Sequence, residues 1–336
     1  MKYHSVISTK RGGPEVLQVI EQELHAPDRD QVRIKVLAAP VSLPDVEARY
    51  GLSPFKIKTP FVPGYAIIGE VNEAGAAITS VKVGDRVAVM TVYGGYTEYY
   101  YSKEDQLIPV PAGIDPIAAA PLILNYIVAF QALHRLARVT AGDKILIIGA
   151  SGGIGTAFLQ LGSFAGLKIY GLASKSKHPV LIESGAVPID YHTQDYIQVI
   201  RNVEPDGLDA VFDGIGGNYI NQSFSLLRKG GVYVGYCNPQ SLMGMFRYLA
   251  KVMINHLSPN GCSAKFYGTG QSRLDRKPFL QDWEKLFELL SEGKIKPVIS
   301  RIYPILEAAE ANRYLESGKV CGNIVLAADG INPGTG

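Results

Sequence analysis

With 336 residues, 47% of them hydrophobic, the chain is long enough for two lobes with real cores and too apolar for a disordered segment. The 33 Lys and Arg against 31 Asp and Glu leave a formal net charge of +2, so no basic field for nucleic acid or an anionic bilayer is expected, and small molecules are the expected partners. Cys237, Cys262 and Cys321 are far apart and odd in number, which argues against a disulfide framework and a four-thiolate zinc site.

Residues 1–13 carry neither the apolar run of a secretory signal nor the Arg-rich pattern of a transit peptide, so the expected address is cytoplasmic. Up to about residue 111, short β-type runs at 31–38, 65–72, 86–91 and 95–101 alternate with turn residues such as Gly84-Asp85, which predicts a compact antiparallel β-rich lobe. Residues 118–136 have helical character broken only by Pro121. The most apolar stretch, 117–130, contains Pro121 and Asn125 and is short for a bilayer, so it reads as a buried segment.

Strands and helices alternate from there. Strands are predicted at 144–148, 168–172, 209–212 and 231–235, the alternation that marks a parallel sheet covered by helices. A helix follows over 279–291, then strands near 299–303 and 323–326 with a helix at 306–317 between them. Residues 330–336, rich in Gly and Pro, read as a loose end.

Gly149-Ala150-Ser151-Gly152-Gly153-Ile154-Gly155 lies between the 144–148 strand and a helix reaching about residue 165. Small residues in that place let the backbone approach a pyrophosphate, and they let the helix N-terminus aim free N–H groups at it. Ser151, Gly152, Gly153 and Ile154 are the candidate phosphate contacts. The spelling departs from G-x-G-x-x-G at Ser151, and the alternative is a glycine turn needed only for close packing. After the second strand the chain runs Ala173-Ser174-Lys175-Ser176-Lys177, with no carboxylate before Glu183. A free ribose 2′-hydroxyl would want an acid there, whereas a 2′-phosphate wants hydroxyls and cations, so NADPH is favoured over NADH. Solvated loop charges remain the alternative for Lys175 and Lys177.

Across almost its whole length the chain resembles the quinone oxidoreductase and enoyl reductase branch of the medium-chain dehydrogenase/reductase superfamily. The glycine segment carries the resemblance, together with Val83-Gly84-Asp85-Arg86-Val87, Gly95-Tyr96-Thr97-Glu98-Tyr99, Val211-Phe212-Asp213-Gly214-Ile215-Gly216-Gly217 and Leu315-Glu316-Ser317-Gly318-Lys319-Val320. The resemblance implies an α/β protein: a GroES-like β-rich catalytic lobe at 1–123 and 271–336, a doubly wound parallel-sheet (Rossmann) nucleotide-binding lobe at 124–270, and an active site in the cleft between them. It implies a homodimer formed through the nucleotide lobes. It also implies that Ser174, Lys177 and Tyr191 hold the 2′-phosphate and that backbone near Gly214, Tyr236 and Asn323 lines the nicotinamide.

Relatives that bind catalytic zinc use a Cys in the first lobe and a His-Glu pair after a glycine. Here Ser42 and Gly64-Tyr65-Ala66 stand in those places, so neither zinc site is expected to form. Without a Lewis acid, reduction of an already electrophilic quinone or α,β-unsaturated carbonyl is a better match than alcohol oxidation. The expected reaction is hydride transfer from NADPH to such a substrate, with the resulting negative oxygen stabilised by a hydrogen-bond donor and then protonated. Candidate donors are Tyr65 and Tyr50, with Tyr96 behind them. Asn125 is the nearest polar group where the resemblance leads one to expect a threonine and finds Val128. Asp45 is a further possibility, as a helix cap or local hydrogen-bond partner. The alternatives are an enoyl-thioester reductase acting on coenzyme A or carrier-protein substrates, and a nucleotide-binding module with little turnover. Residues 238–270 form an insert, with Leu242, Met243, Met245, Phe246, Tyr248, Leu249, Val252, Met253 and Ile254 at helical spacing. They read as a packing face, or as a lid over an apolar pocket.

Overall fold

The computed structural model describes residues 1–53, 57–237, 242–257 and 261–331; Pro54, Asn238 and most of the 330–336 tail lie outside these. The chain separates into two compact units, Met1–Leu124 joined by Leu280–Gly336, and Asn125–Phe279. The crossovers expected from sequence lie at 123/124 and 270/271.

The first unit is an α/β body dominated by a seven-stranded sheet. Its longest strand, Gln31–Val41, buries Val32, Ile34 and Val36 at alternate positions, the period of a strand with one face in the core. It pairs antiparallel with Ile67–Ala74, with Tyr99–Lys103 and with Asn323–Ala327, and the last of these runs parallel to Ile299–Pro304. The C-terminal stretch therefore completes the N-terminal sheet, and Ile305, Ala308, Ala311, Ile324 and Leu326 share one core with Val32, Ile34 and Val71. A separate antiparallel pair, Lys2–Ser8 with Leu17–Glu23, has little apolar alternation to announce it. The expected 65–72 run starts only at Ile67, and the 95–101 run only at Tyr99. Residues 62–65 and 91–96 are taken up instead by a tight loop contact described below.

The second unit is a six-stranded parallel sheet in the order Val187–Ile189, Lys168–Leu172, Lys144–Ile148, Leu208–Asp213, Leu227–Gly235, Ser263–Phe266. Ile145, Leu146 and Ile147 are fully buried at its centre, as the β-branched run predicts. Successive strands move outward from Lys144–Ile148 first to one side and then to the other. The topological switch therefore lies at the C-terminal end of that strand, where Gly149 follows. The 118–136 helix is realised as Pro116–Pro121, then wide turns at Leu122–Tyr126 and Ala132–Ala137 around Ile127–Gln131. Of its apolar window, 83% is buried, the placement of a core segment.

At the opposite, N-terminal edge of the parallel sheet, buried Glu204 is bracketed by Lys144 at 2.5 Å and Lys168 at 2.6 Å and accepts the Tyr170 hydroxyl at 2.6 Å. Burial alone would raise its carboxyl, but hydrogen bonds from Lys144, Lys168 and Tyr170 outweigh that and hold it down at about 2. A carboxyl depressed in the folded state contributes stability that is complete above its unfolded value, and the contribution disappears as pH falls through the folded one. The denaturation midpoint of wild type should therefore exceed that of Glu204→Gln above pH 5, and the gap should close as pH falls from about 5 towards 2. A gap independent of pH over that window would assign Glu204 a purely steric role.

Candidate functional site

The 149–155 turn has the geometry of a phosphate cradle. Gly149 has φ +84°, a left-handed conformation that glycine adopts without strain. At Gly155 an added Cβ would lie 2.3 Å from the Gly149 carbonyl oxygen, so only glycine lets the helix Gly153–Phe164 pack this close to the strand end. Gly152 is different: an added Cβ would meet only the Gly149 oxygen, at 3.7 Å, so nothing in the protein itself demands a glycine there. Space left open on that side suits a ligand that approaches the backbone. Gly152 is the helix N-cap and offers no side chain to the amides of the first turn, which are the donors an anion would take. Ser151 is buried beneath the turn, while Gly152 is exposed and Gly153 and Ile154 are partly so.

Beyond the next strand, Ser174 caps a short turn Lys175–Lys177, with the Lys177 amide on the Ser174 carbonyl at 2.9 Å and the Ser174 and Ser176 hydroxyls 3.5 Å apart. Both serines and both lysines thus cluster at the C-terminal end of the strand beside the glycine turn. Tyr191 is exposed and packs against His192 with ring centroids 4.1 Å apart and the rings tilted by 39°.

On the other side of the switch point, Asp213 is fully buried, a residue the sequence reading quoted without giving it a role. One carboxylate oxygen accepts the amides of Ile215 and Gly216, both at 2.8 Å, and the other accepts the Tyr233 hydroxyl at 2.9 Å. Burial raises its pKa while these three donors oppose the rise. The result is a fixed turn in which a Cβ on Gly214 would lie 2.6 Å from the Tyr236 ring. Tyr236 packs in turn on Phe158 with centroids 5.5 Å apart. A strand-terminal Asp before Gly-x-Gly-Gly is the signal that could have found this turn. The insert forms a helix, Leu242–His256, anchored by buried Tyr248, whose hydroxyl occupies the space beside Gly235, and by Lys251 bonded to the Gly217 carbonyl at 3.1 Å. Met243, Phe246, Met253 and Ile254 face outward.

In the first unit, Ser42 and Asp45 close the N-terminus of the helix Leu43–Tyr50. Asp45 is buried and takes four donors: the Ser42 amide at 2.9 Å, the Ser42 hydroxyl at 2.6 Å, the Gly64 amide at 3.0 Å and the Tyr96 hydroxyl at 3.1 Å. Burial pushes its carboxyl up to about 6 even against these donors. Asp45 is thus a structural tie from the helix cap to the segment that carries Tyr65, as well as the cap foreseen. Tyr65, next to Gly64 in sequence, is buried. Tyr96 is fully buried, and its hydroxyl is donated to Asp45. Tyr50 goes elsewhere: it is 41% exposed and donates its hydroxyl to Glu316 at 2.9 Å, part of an ion-pair group with fully buried Arg49. Asn323 is buried, with its side-chain amide on the Val298 carbonyl at 3.0 Å. In the second unit, Asn125 and Val128 are both buried. The structure therefore gathers Ser151–Ile154, Ser174, Lys177, Gly214 and Tyr236 at one end of the parallel sheet. Among the described residues, no group of three His, Cys, Asp or Glu is placed to hold a metal ion.

Residues 28–112 match the alcohol dehydrogenase GroES-like domain, and residues 185–326 match the zinc-binding dehydrogenase family. The quinone oxidoreductase of Rattus norvegicus is 31% identical over 323 residues, covering 94% of this chain and 94% of that protein. The chain belongs to the medium-chain dehydrogenase/reductase superfamily. Within this superfamily it falls in the zinc-independent quinone oxidoreductase branch, and it is an oxidoreductase of that family. The synaptic vesicle membrane protein VAT-1 homolog of Rattus norvegicus is 32% identical over 313 residues, 90% of this chain and 78% of that protein. The solved quinone oxidoreductase of Coxiella burnetii has a TM-score of 0.85 at 28% identity, covering 98% of this chain and all of that one.

Proposed function

We propose that this oxidoreductase uses NADPH to reduce, without zinc, a quinone or an α,β-unsaturated carbonyl compound. The observation that carries the reading is the 149–155 turn, where the open side of Gly152 and the uncapped amides of the following helix fit a pyrophosphate. When bound, the dinucleotide supplies hydride from its nicotinamide ring. The helix amides hold its phosphates, and Ser174, Lys177 and Tyr191 hold the ribose phosphate. The fixed Gly214 turn, Tyr236 and the backbone at Asn323 line the nicotinamide. Tyr65 donates a hydrogen bond to the substrate oxygen as negative charge develops there and then releases its proton to the product, with Asn125 as a second polar contact. The quinone oxidoreductase relatives support the acceptor class. The Ser263–Phe266 strand, at the edge of the parallel sheet among the described residues, would let two nucleotide-binding units join as a homodimer, and the expected compartment is the cytoplasm.

The cofactor assignment is tested by fluorescence titration of NADPH and NADH. A hydrogen bond to a charged group contributes about 1.5–3 kcal/mol, so Ser174→Asp with Lys177→Glu should raise the Kd for NADPH at least 10- to 100-fold while changing that for NADH far less. Equal weakening of both dinucleotides would remove these residues from 2′-phosphate recognition.

A further inference from the structure

The segment that carries Tyr65 is held by a loop in a strained conformation. Its carbonyls are taken in succession: Val62 by the Gly94 amide at 2.7 Å, Pro63 by the Tyr96 amide at 2.9 Å, Gly64 by the Gly95 amide at 3.0 Å, and Tyr65 by the Val92 amide at 3.1 Å. Gly64 receives a second bond from the Thr91 hydroxyl at 2.5 Å, and its own amide is fixed by Asp45 at 3.0 Å. Strand Arg86–Val89 approaches alongside Ile67–Ala74, and a straight continuation would carry the chain past Tyr65. It turns back instead at Val92, where φ is +66°. Among the described residues, Arg138 is the other non-glycine residue with positive φ, and it occupies a helix C-terminus, an ordinary place for that conformation. A β-branched residue in the left-handed region is a genuine outlier, kept only where the surroundings over-determine it, and such outliers cluster at functional sites.

We propose that the Thr91–Val92 turn is a positioning clamp for Tyr65, with the left-handed Val92 amide and the Thr91 hydroxyl fixing the Gly64–Tyr65 backbone so that the tyrosine hydroxyl presents a single orientation to the substrate oxygen. This rests on the reading of Tyr65 as the proton donor. Thr91 and Val92 touch no reacting atom; they act through the backbone of Tyr65. The Gly64–Gly95 contact completes the clamp, because a Cβ on Gly64, at φ +108°, would lie 2.6 Å from the Gly95 backbone.

The test uses full-length protein with 3-fluorotyrosine placed at position 65, in wild type, Thr91→Val, Val92→Pro and Val92→Asn, with thermal denaturation to confirm folding. Thr91→Val removes the hydroxyl at nearly constant shape. Val92→Pro removes the amide and fixes φ at about −65°, whereas Val92→Asn keeps the amide and a side chain that accepts the left-handed conformation. The expected result is a single narrow fluorine resonance in wild type that broadens or splits in Thr91→Val and Val92→Pro and is retained in Val92→Asn. In parallel, kcat for acceptor reduction should fall about tenfold in the first two variants, since misplacement of a reacting group by about 1 Å costs up to 10²-fold, with KM for NADPH unchanged. Folded variants with an unaltered Tyr65 resonance would overturn the clamp, as would a broadened resonance with unchanged kcat in an enzyme that does depend on the Tyr65 hydroxyl. If Tyr65→Phe itself leaves kcat unchanged, the proton-donor reading is what fails, and the resonance alone decides whether the turn fixes Tyr65.

Discussion

Replacing Tyr65 by Phe is expected to lower kcat about 100-fold while leaving the NADPH Kd unaltered, because a positioned proton donor contributes about 10² to 10⁴ in rate and little to ground-state cofactor binding. Steady-state kinetics with a quinone acceptor, alongside a direct NADPH titration, reads both quantities. Tyr50→Phe is the internal comparison. Its hydroxyl is engaged with Glu316 of another helix at the surface, so its loss should leave kcat within about twofold, the scale of an exposed contact remote from chemistry. If the two substitutions had equal effects on kcat, the assignment of the donor to Tyr65 would be wrong.

The second large effect concerns stability. Arg49 is fully buried, bonded to the carbonyl of Gly12 and the carboxylate of Glu316, with no hydrogen-bond partner for its Nε among the described residues and its guanidinium 4.8 Å from the centre of the Tyr50 ring. Glu316→Ala leaves that buried cation without its carboxylate. Breaking a buried pair from one side costs about 3–5 kcal/mol, which lowers the melting temperature of a unit this size by roughly 10 °C. Replacing both partners with apolar residues of similar volume, Arg49→Met with Glu316→Leu, should recover much of the loss, because the penalty comes from the stranded charge more than from the missing attraction. A Glu316→Ala change of less than about 1 kcal/mol would show that water reaches Arg49 once the carboxylate is gone.

The parallel sheet was legible because its signals are local. A β-branched run at 144–148, a glycine turn and a helix are each read from adjacent residues, and the charge pattern at Ser174 to Lys177 follows from position along the next strand. The two-lobe plan was legible through the resemblance. What sequence left undetermined depends on contacts between distant segments. The Lys2–Ser8 and Leu17–Glu23 pair has too few apolar residues to show an alternating pattern, and its pairing becomes visible only when the strands are seen side by side. Tyr50 and Tyr65 look equivalent as residues. They part company because Glu316, at the far end of the chain, captures one hydroxyl, while Asp45, Thr91 and Val92 fix the backbone of the other. Asp213 stood in plain view within Val211 to Gly217, but its role needed the Tyr233 hydroxyl and the two turn amides to be seen on its carboxylate. Val92 carries no sequence signal at all, since valine is among the residues least expected in a left-handed turn.

The proposed reaction is reduction of a conjugated carbonyl or quinone by NADPH without metal. Its most direct test follows the 340 nm absorbance of NADPH, and of NADH in parallel, in metal-chelated buffer with quinones, alkyl enones and enoyl thioesters supplied one at a time. Decay that requires a quinone or enone, prefers NADPH and is unaffected by chelation is the predicted result. Tight NADPH binding with no acceptor-dependent decay across the panel would contradict it and leave a nucleotide-binding module, and decay with enoyl thioesters alone would move the activity to thioester reduction.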